Sequence, residues 1–188
     1  MDTTLKYEEQ LQKIFANIND WLKFAEAKNF GLLSFNAAVV FGFSQTNFEN
    51  GSIIEKAGFY WFSPFAMLSF LVTLLALFPI LSIVEETNWR VRFINYVSNI
   101  IKKEIEFENI YFYGYLKNLS AQTFEDVFLE KTNSEDAFTK IEKDLSGQII
   151  YNSKITWQKY QLFKIATFIF VCGFIAFIIA MLIFNFQR

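Results

Sequence analysis

The sequence has no histidine and one cysteine, Cys172. Without imidazole it cannot build a Ser-His-Asp triad, a zincin site or a Cys2His2 zinc finger. One cysteine excludes an intramolecular disulfide framework. Lys and Arg number 17 against 19 Asp and Glu, a net charge of −2, so the chain lacks the basic excess that nucleic-acid binding needs. We therefore expect no metal centre and no nucleic-acid partner.

Proline and glycine are also scarce, with two and seven residues, which leaves no room for a long flexible linker. The chain has no glycine-rich phosphate loop and no nucleophile elbow. Cys172 lies in the middle of an apolar run, where a thiol is inert. We expect no catalytic residue, no cofactor and no enzymatic activity.

Phenylalanine is abundant, with 25 residues in a chain that is 53% apolar, and these residues are gathered into runs. Ile165 to Phe184 is a run of 20 residues without a charge, about 30 Å as a helix, which matches the hydrocarbon core of a bilayer. Phe62 to Val84 is a second uncharged run, in which Pro79 is expected to kink the helix. The lack of ionisable residues in these runs argues against proton relays and ion-coupled transporters.

The candidate span nearest the N-terminus, residues 30–48, is weaker than the other two. Its strongly apolar part ends at Phe43, and it contains Asn36. The alternative is a short interfacial or buried helix. The distribution of basic residues favours a span: three spans place 15 Lys and Arg on one side and two on the other. This distribution obeys the positive-inside rule with the N-terminus inside.

The remaining segments favour helices. Leu5 to Asn29 carries apolar residues at helical spacing and runs without Pro or Gly into the first candidate span. Ser120 is a candidate N-cap for one helix, and Ser134 for a long helix that continues into the last span. A further helix is expected around residues 93–101. Ile110–Leu116 is ambiguous, since its sequence fits a short strand or a buried aromatic turn.

We therefore predict an all-α membrane protein with three transmembrane helices and a cytosolic helical bundle formed by helix extensions and an insert. The predicted divisions are 1–29 (cytosolic amphipathic helix), 30–48 (transmembrane helix 1), 49–61 (external loop), 62–84 (transmembrane helix 2), 85–164 (cytosolic helical domain), 165–184 (transmembrane helix 3) and 185–188 (external tail).

Two further patterns each allow two interpretations. Ala38 with Gly42, and Ala176 with Ala180, are spaced four residues apart near Gly173, which suits close helix packing within one subunit or contact between subunits. Basic residues gather at the inner boundary, which suits positive-inside anchoring or an anion site beside stacking aromatic residues. These basic residues are Lys28, Arg90, Arg92, Lys154, Lys159 and Lys164.

Four segments, in this order, resemble the transmembrane effector family of Pycsar antiphage systems. They are AEAKNFGLLSFNAAVV (Ala25–Val40), ALFPI (Ala76–Ile80), IYFYGYL (Ile110–Leu116) and DLSGQIIYNSKITWQKYQLFKIA (Asp144–Ala166). One position departs from the family pattern, because Glu26 stands where the family more often has Asp. The segments span most of the chain.

The resemblance implies an effector that stays silent until a partner nucleotide cyclase makes a cyclic pyrimidine mononucleotide, cCMP or cUMP. The effector then impairs the bacterial inner membrane and the infected cell stops growing or dies, which is abortive infection. It implies a multi-pass protein with a cytosolic N-terminus that acts on the lipid bilayer as a homo-oligomer. The positions that match family motifs, and are candidates for ligand binding, are Glu26, Lys28, Tyr111, Phe112, Gly114, Gln148, Lys154 and Lys159.

The competing hypothesis is a non-signalling membrane scaffold or subunit that anchors a cytosolic partner through its bundle. A neighbouring nucleotide-cyclase gene would favour the effector, and a neighbouring secretion or envelope operon would favour the scaffold.

Overall fold

The structure, a computed structural model, describes residues 4–45, 52–77, 92, 96 and 108–186. Its helices are α1 (Thr4–Ser44), α2 (Ile53–Ala57), a π-helical turn (Gly58–Phe62), α3 (Ser63–Leu77), α4 (Tyr113–Leu116), α5 (Ala121–Thr132) and α6 (Lys140–Phe186). Across these described ranges all regular secondary structure is helical, which confirms the all-α prediction.

The chain divides into two compact units. The first unit comprises Met1–Ala25 and Ile80–Tyr160, and the second comprises Glu26–Pro79 and Gln161–Arg188. Both α1 and α6 contribute residues to each unit. These two helices are therefore the elements that the units share.

The amphipathic helix predicted at the N-terminus is confirmed as part of α1. Leu11, Ile14 and Ile18 are fully buried, since their spacing places them on one face of the helix. The helix then continues without interruption to Ser44. The buried core of the first unit comprises Tyr7, Leu11, Ile14, Ile18, Leu116, Phe124, Phe128, Phe138, Ile149 and Ile150.

Helix α5 begins and ends with recognisable caps. The Ser120 hydroxyl accepts a hydrogen bond from the Thr123 backbone N–H at 3.0 Å, which confirms Ser120 as the N-cap. Asn133 has a positive φ of 48°, and the Ser134 N–H donates to the Leu129 carbonyl at 3.0 Å. This is a Schellman ending, in which asparagine tolerates the left-handed conformation.

The prediction that Ser134 caps the long helix is wrong. Helix α6 begins at Lys140, and its cap is Thr139. The Glu142 carboxylate accepts from the Thr139 backbone N–H at 2.7 Å, while the Glu142 N–H donates to the Thr139 hydroxyl at 3.3 Å. Thr139 and Glu142 thus form a capping box, and Ser134 belongs to the end of α5.

We predict that Thr139→Ala lowers the free energy of unfolding by about 1 kcal/mol, since it removes an N-cap hydroxyl. Ser134→Ala is the matched control and should change it by less than about 0.5 kcal/mol. Urea unfolding of the purified chain in mild detergent, followed by circular dichroism, measures both. A larger loss for Ser134→Ala would contradict the assignment of the cap.

Two helical stretches among the described residues are long and apolar enough to cross a membrane, Ile53–Leu77 and Lys140–Phe184. The first begins at Ile53, inside the segment predicted as an external loop, because Ser52 and Glu55 form a capping box there. Residues 46–48 of the first predicted span and Pro79 lie outside the described residues, as does the helix predicted around residues 93–101 apart from Tyr96.

Two hydrogen bonds that share the Ser69 hydroxyl join three helices of the second unit. The Asn36 Nδ2 of α1 donates to the Ser69 Oγ of α3 at 2.8 Å, and that Oγ donates to the Ala166 carbonyl of α6 at 2.9 Å. Asn36 and Ser69 are fully buried. Polar contacts of this kind hold helices together where the surroundings are apolar.

Close packing of α6 on α3 depends on Gly173. A Cβ added at Gly173 would lie 2.4 Å from the Phe65 Cβ, so a larger residue would separate the two helices. Gly173 therefore packs within one subunit, as the first interpretation of the small-residue pattern has it. Ala180 is buried as well, whereas Ala38 and Gly42 are exposed.

Candidate functional site

The eight residues predicted to bind ligand fall in both units. Glu26 and Lys28 lie on the part of α1 that belongs to the second unit, and the other six lie in the first unit. Glu26 is exposed, while Lys28 is half-buried with its Nζ 5.6 Å from the centre of the Phe163 ring. The first unit therefore holds most of the candidate site.

The ambiguous segment Ile110–Leu116 forms a turn followed by the single turn of α4, which excludes the strand. Asn17 of α1 fixes this turn, because its Nδ2 donates to the Tyr111 carbonyl at 2.6 Å. Gly114 lies against the Phe112 ring, and a Cβ added there would come within 2.4 Å of the ring, so the ring would have to rotate away. Tyr111 remains 45% exposed.

An aromatic cluster of Trp21, Phe112, Tyr113 and Tyr160 joins this segment to α1 and α6. The Tyr113 and Tyr160 rings stack with centroids 5.2 Å apart and planes inclined by 8°. The centre of the Trp21 ring lies 5.7 Å from that of Tyr113 and 6.3 Å from that of Tyr160. The cluster thus brings together IYFYGYL and the WQKY part of the last family-like segment, which are far apart in sequence.

Burial and the neighbouring Tyr160 raise the pKa of Tyr113 to about 12. Its phenol therefore keeps its proton to a more alkaline pH than an exposed tyrosine does, since the phenolate would lose hydration on leaving water. A protonated phenol presents a neutral aromatic face and one hydrogen-bond donor.

Basic residues of α6 accompany the cluster in sequence. Lys159 precedes Tyr160 directly and is only 6% exposed, while Lys154 is half-buried. About two turns before Lys159, the Asn152 Nδ2 donates to the Asn19 Oδ1 of α1 at 2.8 Å and fixes the packing of the two helices.

One contact was not predicted from sequence. The Lys117 Nζ lies 4.1 Å from the centre of the Trp157 ring, a cation–π contact worth about 0.5–1 kcal/mol at exposed sites and more when desolvated. Lys117 follows IYFYGYL directly and Trp157 lies in α6, so this contact joins the same two segments as the aromatic cluster. Sequence reasoning missed Lys117 and Tyr160 as site residues. The available signals were that Lys117 directly follows the aromatic segment and that Tyr160 directly follows Lys159.

Gln148 lies elsewhere in the first unit, on an open groove of about 510 Å³ between α1 and α6. The groove carries the carboxylates of Glu8 and Asp144, which repel a phosphate. Lysines and stacked rings suit an anionic nucleotide better. The other residues lining the groove are Gln12, Phe15, Ile141 and Leu145.

The first unit therefore contains flat aromatic surfaces beside ammonium groups, which is the chemistry that binds a base and a phosphate. In the described ranges no three Cys, Asp or Glu side chains gather into a group that could hold a metal ion.

Comparison with known proteins identifies a family. The family model of the Pycsar effector protein domain matches residues 10–185. Searches of curated proteins and of solved structures find no match. The family match covers nearly the whole chain and includes all four segments that carried the resemblance. The chain belongs to the Pycsar effector family, whose members are antiphage signalling effectors.

Proposed function

We propose that this effector senses a cyclic pyrimidine mononucleotide, cCMP or cUMP, through its first unit and then impairs the bacterial inner membrane. A partner cyclase supplies the nucleotide on infection, and the damaged cell stops growing before phage mature. The first unit lies in the cytosol in this proposal, together with the N-terminus.

One observation carries the proposed sensing role: the Tyr113 and Tyr160 rings stack at 5.2 Å and so join two separate family-like segments. Aromatic faces stack with bases, and ammonium groups bind phosphate oxygens. Lys159, which precedes Tyr160 in sequence, is the residue that we assign to this role.

The apolar surface of the second unit supports the proposed action on the membrane. Large apolar side chains are exposed along α6, among them Phe168, Phe174 and Ile179. A soluble surface rarely exposes so many, whereas a lipid-facing surface does. Phe30, Phe35 and Phe41 are exposed on α1, which supports a third span. We propose three spans and association of subunits into a homo-oligomer.

Helices α1 and α6 offer a route from sensing to membrane damage, because each contributes to both units. Nucleotide binding in the first unit changes how these helices pack. The nucleotide shifts the equilibrium only by binding the damaging arrangement more tightly than the silent one.

We predict that Lys159→Met raises the nucleotide concentration needed for dye release from liposomes roughly tenfold or more, since a hydrogen bond to a charged group is worth about 1.5–3 kcal/mol. Lys28→Met should raise it as well, because Lys28 lies on α1, one of the two helices that carry the response in this proposal. Methionine keeps the apolar stem of lysine and removes the charge.

Lys13→Met is the matched control, because Lys13 is exposed and pairs with Glu9 at 2.7 Å. Its dose response should equal that of the wild type. Wild-type nucleotide sensitivity in both Lys28→Met and Lys159→Met, with normal membrane insertion, would remove these lysines from the mechanism.

A further inference from the structure

The contact between Lys117 and Trp157 places an ammonium group directly on an indole face. The Nζ lies 4.1 Å from the ring centre, and both side chains are half-buried, so both keep some contact with solvent. The two residues come from different elements: Lys117 follows α4, and Trp157 lies in α6. The contact therefore forms only when the two segments pack together in the folded chain.

We propose that Lys117 and Trp157 form a nucleotide subsite, in which the pyrimidine base stacks on Trp157 and the Lys117 ammonium binds the cyclic phosphate. This inference rests on the proposed function and names residues that sense the ligand. It assigns a role to Lys117, which lies just outside the segments that resemble the family.

Binding exchanges the partners of Lys117. A base stacks in van der Waals contact with an aromatic face, which is the space that the Lys117 Nζ occupies against Trp157. The ammonium must therefore leave the ring when the base arrives, and the phosphate offers it a fully charged acceptor in return. The lysine thus covers the stacking surface until an anion draws it away.

The exchange distinguishes a nucleotide from a nucleoside. A neutral nucleoside competes with Lys117 for the indole face, but it has no phosphate to bind the displaced ammonium. A cyclic nucleotide offers both a base and an anion. Stacking on a single aromatic face is tolerant of base identity, so this subsite detects a base linked to a phosphate, and the choice between cytosine and uracil depends on other groups.

Calorimetric titration of the full-length chain in detergent tests the subsite with four ligands: cCMP, cUMP, cytidine and uridine. For whichever cyclic nucleotide binds the wild type, we expect Lys117→Met to weaken binding at least tenfold. Binding of the matching nucleoside should be unchanged or tighter, because the ring is uncovered. Trp157→Leu should weaken binding of both the cyclic nucleotide and the nucleoside.

Two variants separate this role from a structural one. Lys117→Arg keeps the cation and should retain most of the cyclic-nucleotide affinity. Lys131→Met removes an exposed lysine from the last turn of α5 and should bind as the wild type does. Circular dichroism establishes that each variant is folded. If Lys117→Met or Trp157→Leu is not, then Lys117→Gln or Trp157→Met replaces it, since these also remove the cation or the aromatic face.

Wild-type affinity for the cyclic nucleotide in Lys117→Met and Trp157→Leu would overturn the subsite while leaving the proposed function intact. An equal loss of nucleoside and nucleotide binding in Lys117→Met would assign Lys117 a structural role and also overturn it. If the wild type binds neither cyclic pyrimidine, the proposed sensing function fails, and the subsite fails with it.

Discussion

Phe128→Ala is expected to lower the free energy of unfolding of the first unit by about 3–5 kcal/mol, the usual cost of deleting a buried phenylalanine side chain. Phe128 is 1% exposed and lies in the core. The centre of its ring lies 5.9 Å from the centre of the Tyr7 ring and 5.3 Å from that of the Phe138 ring. These contacts join α5 to α1 and to the segment before α6, so the cavity would lie where three parts of the chain meet.

Urea unfolding in mild detergent, followed by circular dichroism, measures this loss. Ile141→Ala is the control, because Ile141 belongs to the same unit and is 69% exposed; its effect should stay within about 0.5 kcal/mol. The assignment of the core fails if the two substitutions have similar effects.

Gly173→Ala is expected to lower the free energy of unfolding of the second unit by about 1–3 kcal/mol, the range for overpacking. The new methyl group would lie 2.4 Å from the Phe65 Cβ. A Cβ is fixed to its backbone, so α3 and α6 must move apart. In most helices the same substitution stabilises, because alanine has the higher helix propensity.

Gly31→Ala provides the matched control on α1. A Cβ at Gly31 meets nothing within 4 Å, so this variant should gain about 0.5–1 kcal/mol. Thermal unfolding of both variants in detergent gives the comparison. A gain for both would show that α3 and α6 are not closely packed at Gly173.

Local chemistry allowed much of the fold to be predicted. The 3.6-residue spacing of Leu11, Ile14 and Ile18 predicted the buried face of α1, because one face of a helix must leave water. Ser120 predicted the start of α5 through the same capping chemistry that the structure contains. These features depend on residues that are close in sequence.

Features that depended on a choice between local signals were harder to predict. Ser134 and Thr139 both precede acidic residues, and only the left-handed Asn133 assigns Ser134 to the end of α5. Ser52 and Glu55 have the spacing of a capping box in the sequence, but the uncharged run placed the start of the second span later, at Phe62.

Contacts between distant segments could not be predicted from residue spacing. The family resemblance selected Lys159 and Gln148, but it did not indicate that Gln148 lines an acidic groove. The Lys117–Trp157 contact joins residues 40 positions apart. It exists because the turn before α4 is held against α1 and α6, which only the folded chain establishes.

Dye release from liposomes carrying the purified chain tests most directly whether this effector converts a cyclic pyrimidine signal into membrane damage. The chain is assayed without ligand and then with cCMP, cUMP, cAMP and cGMP in separate reactions. We predict release with a cyclic pyrimidine nucleotide, and none with either purine or without ligand. An absence of release with all four, from protein shown to be folded and inserted, would contradict nucleotide-triggered damage and favour a non-signalling membrane scaffold.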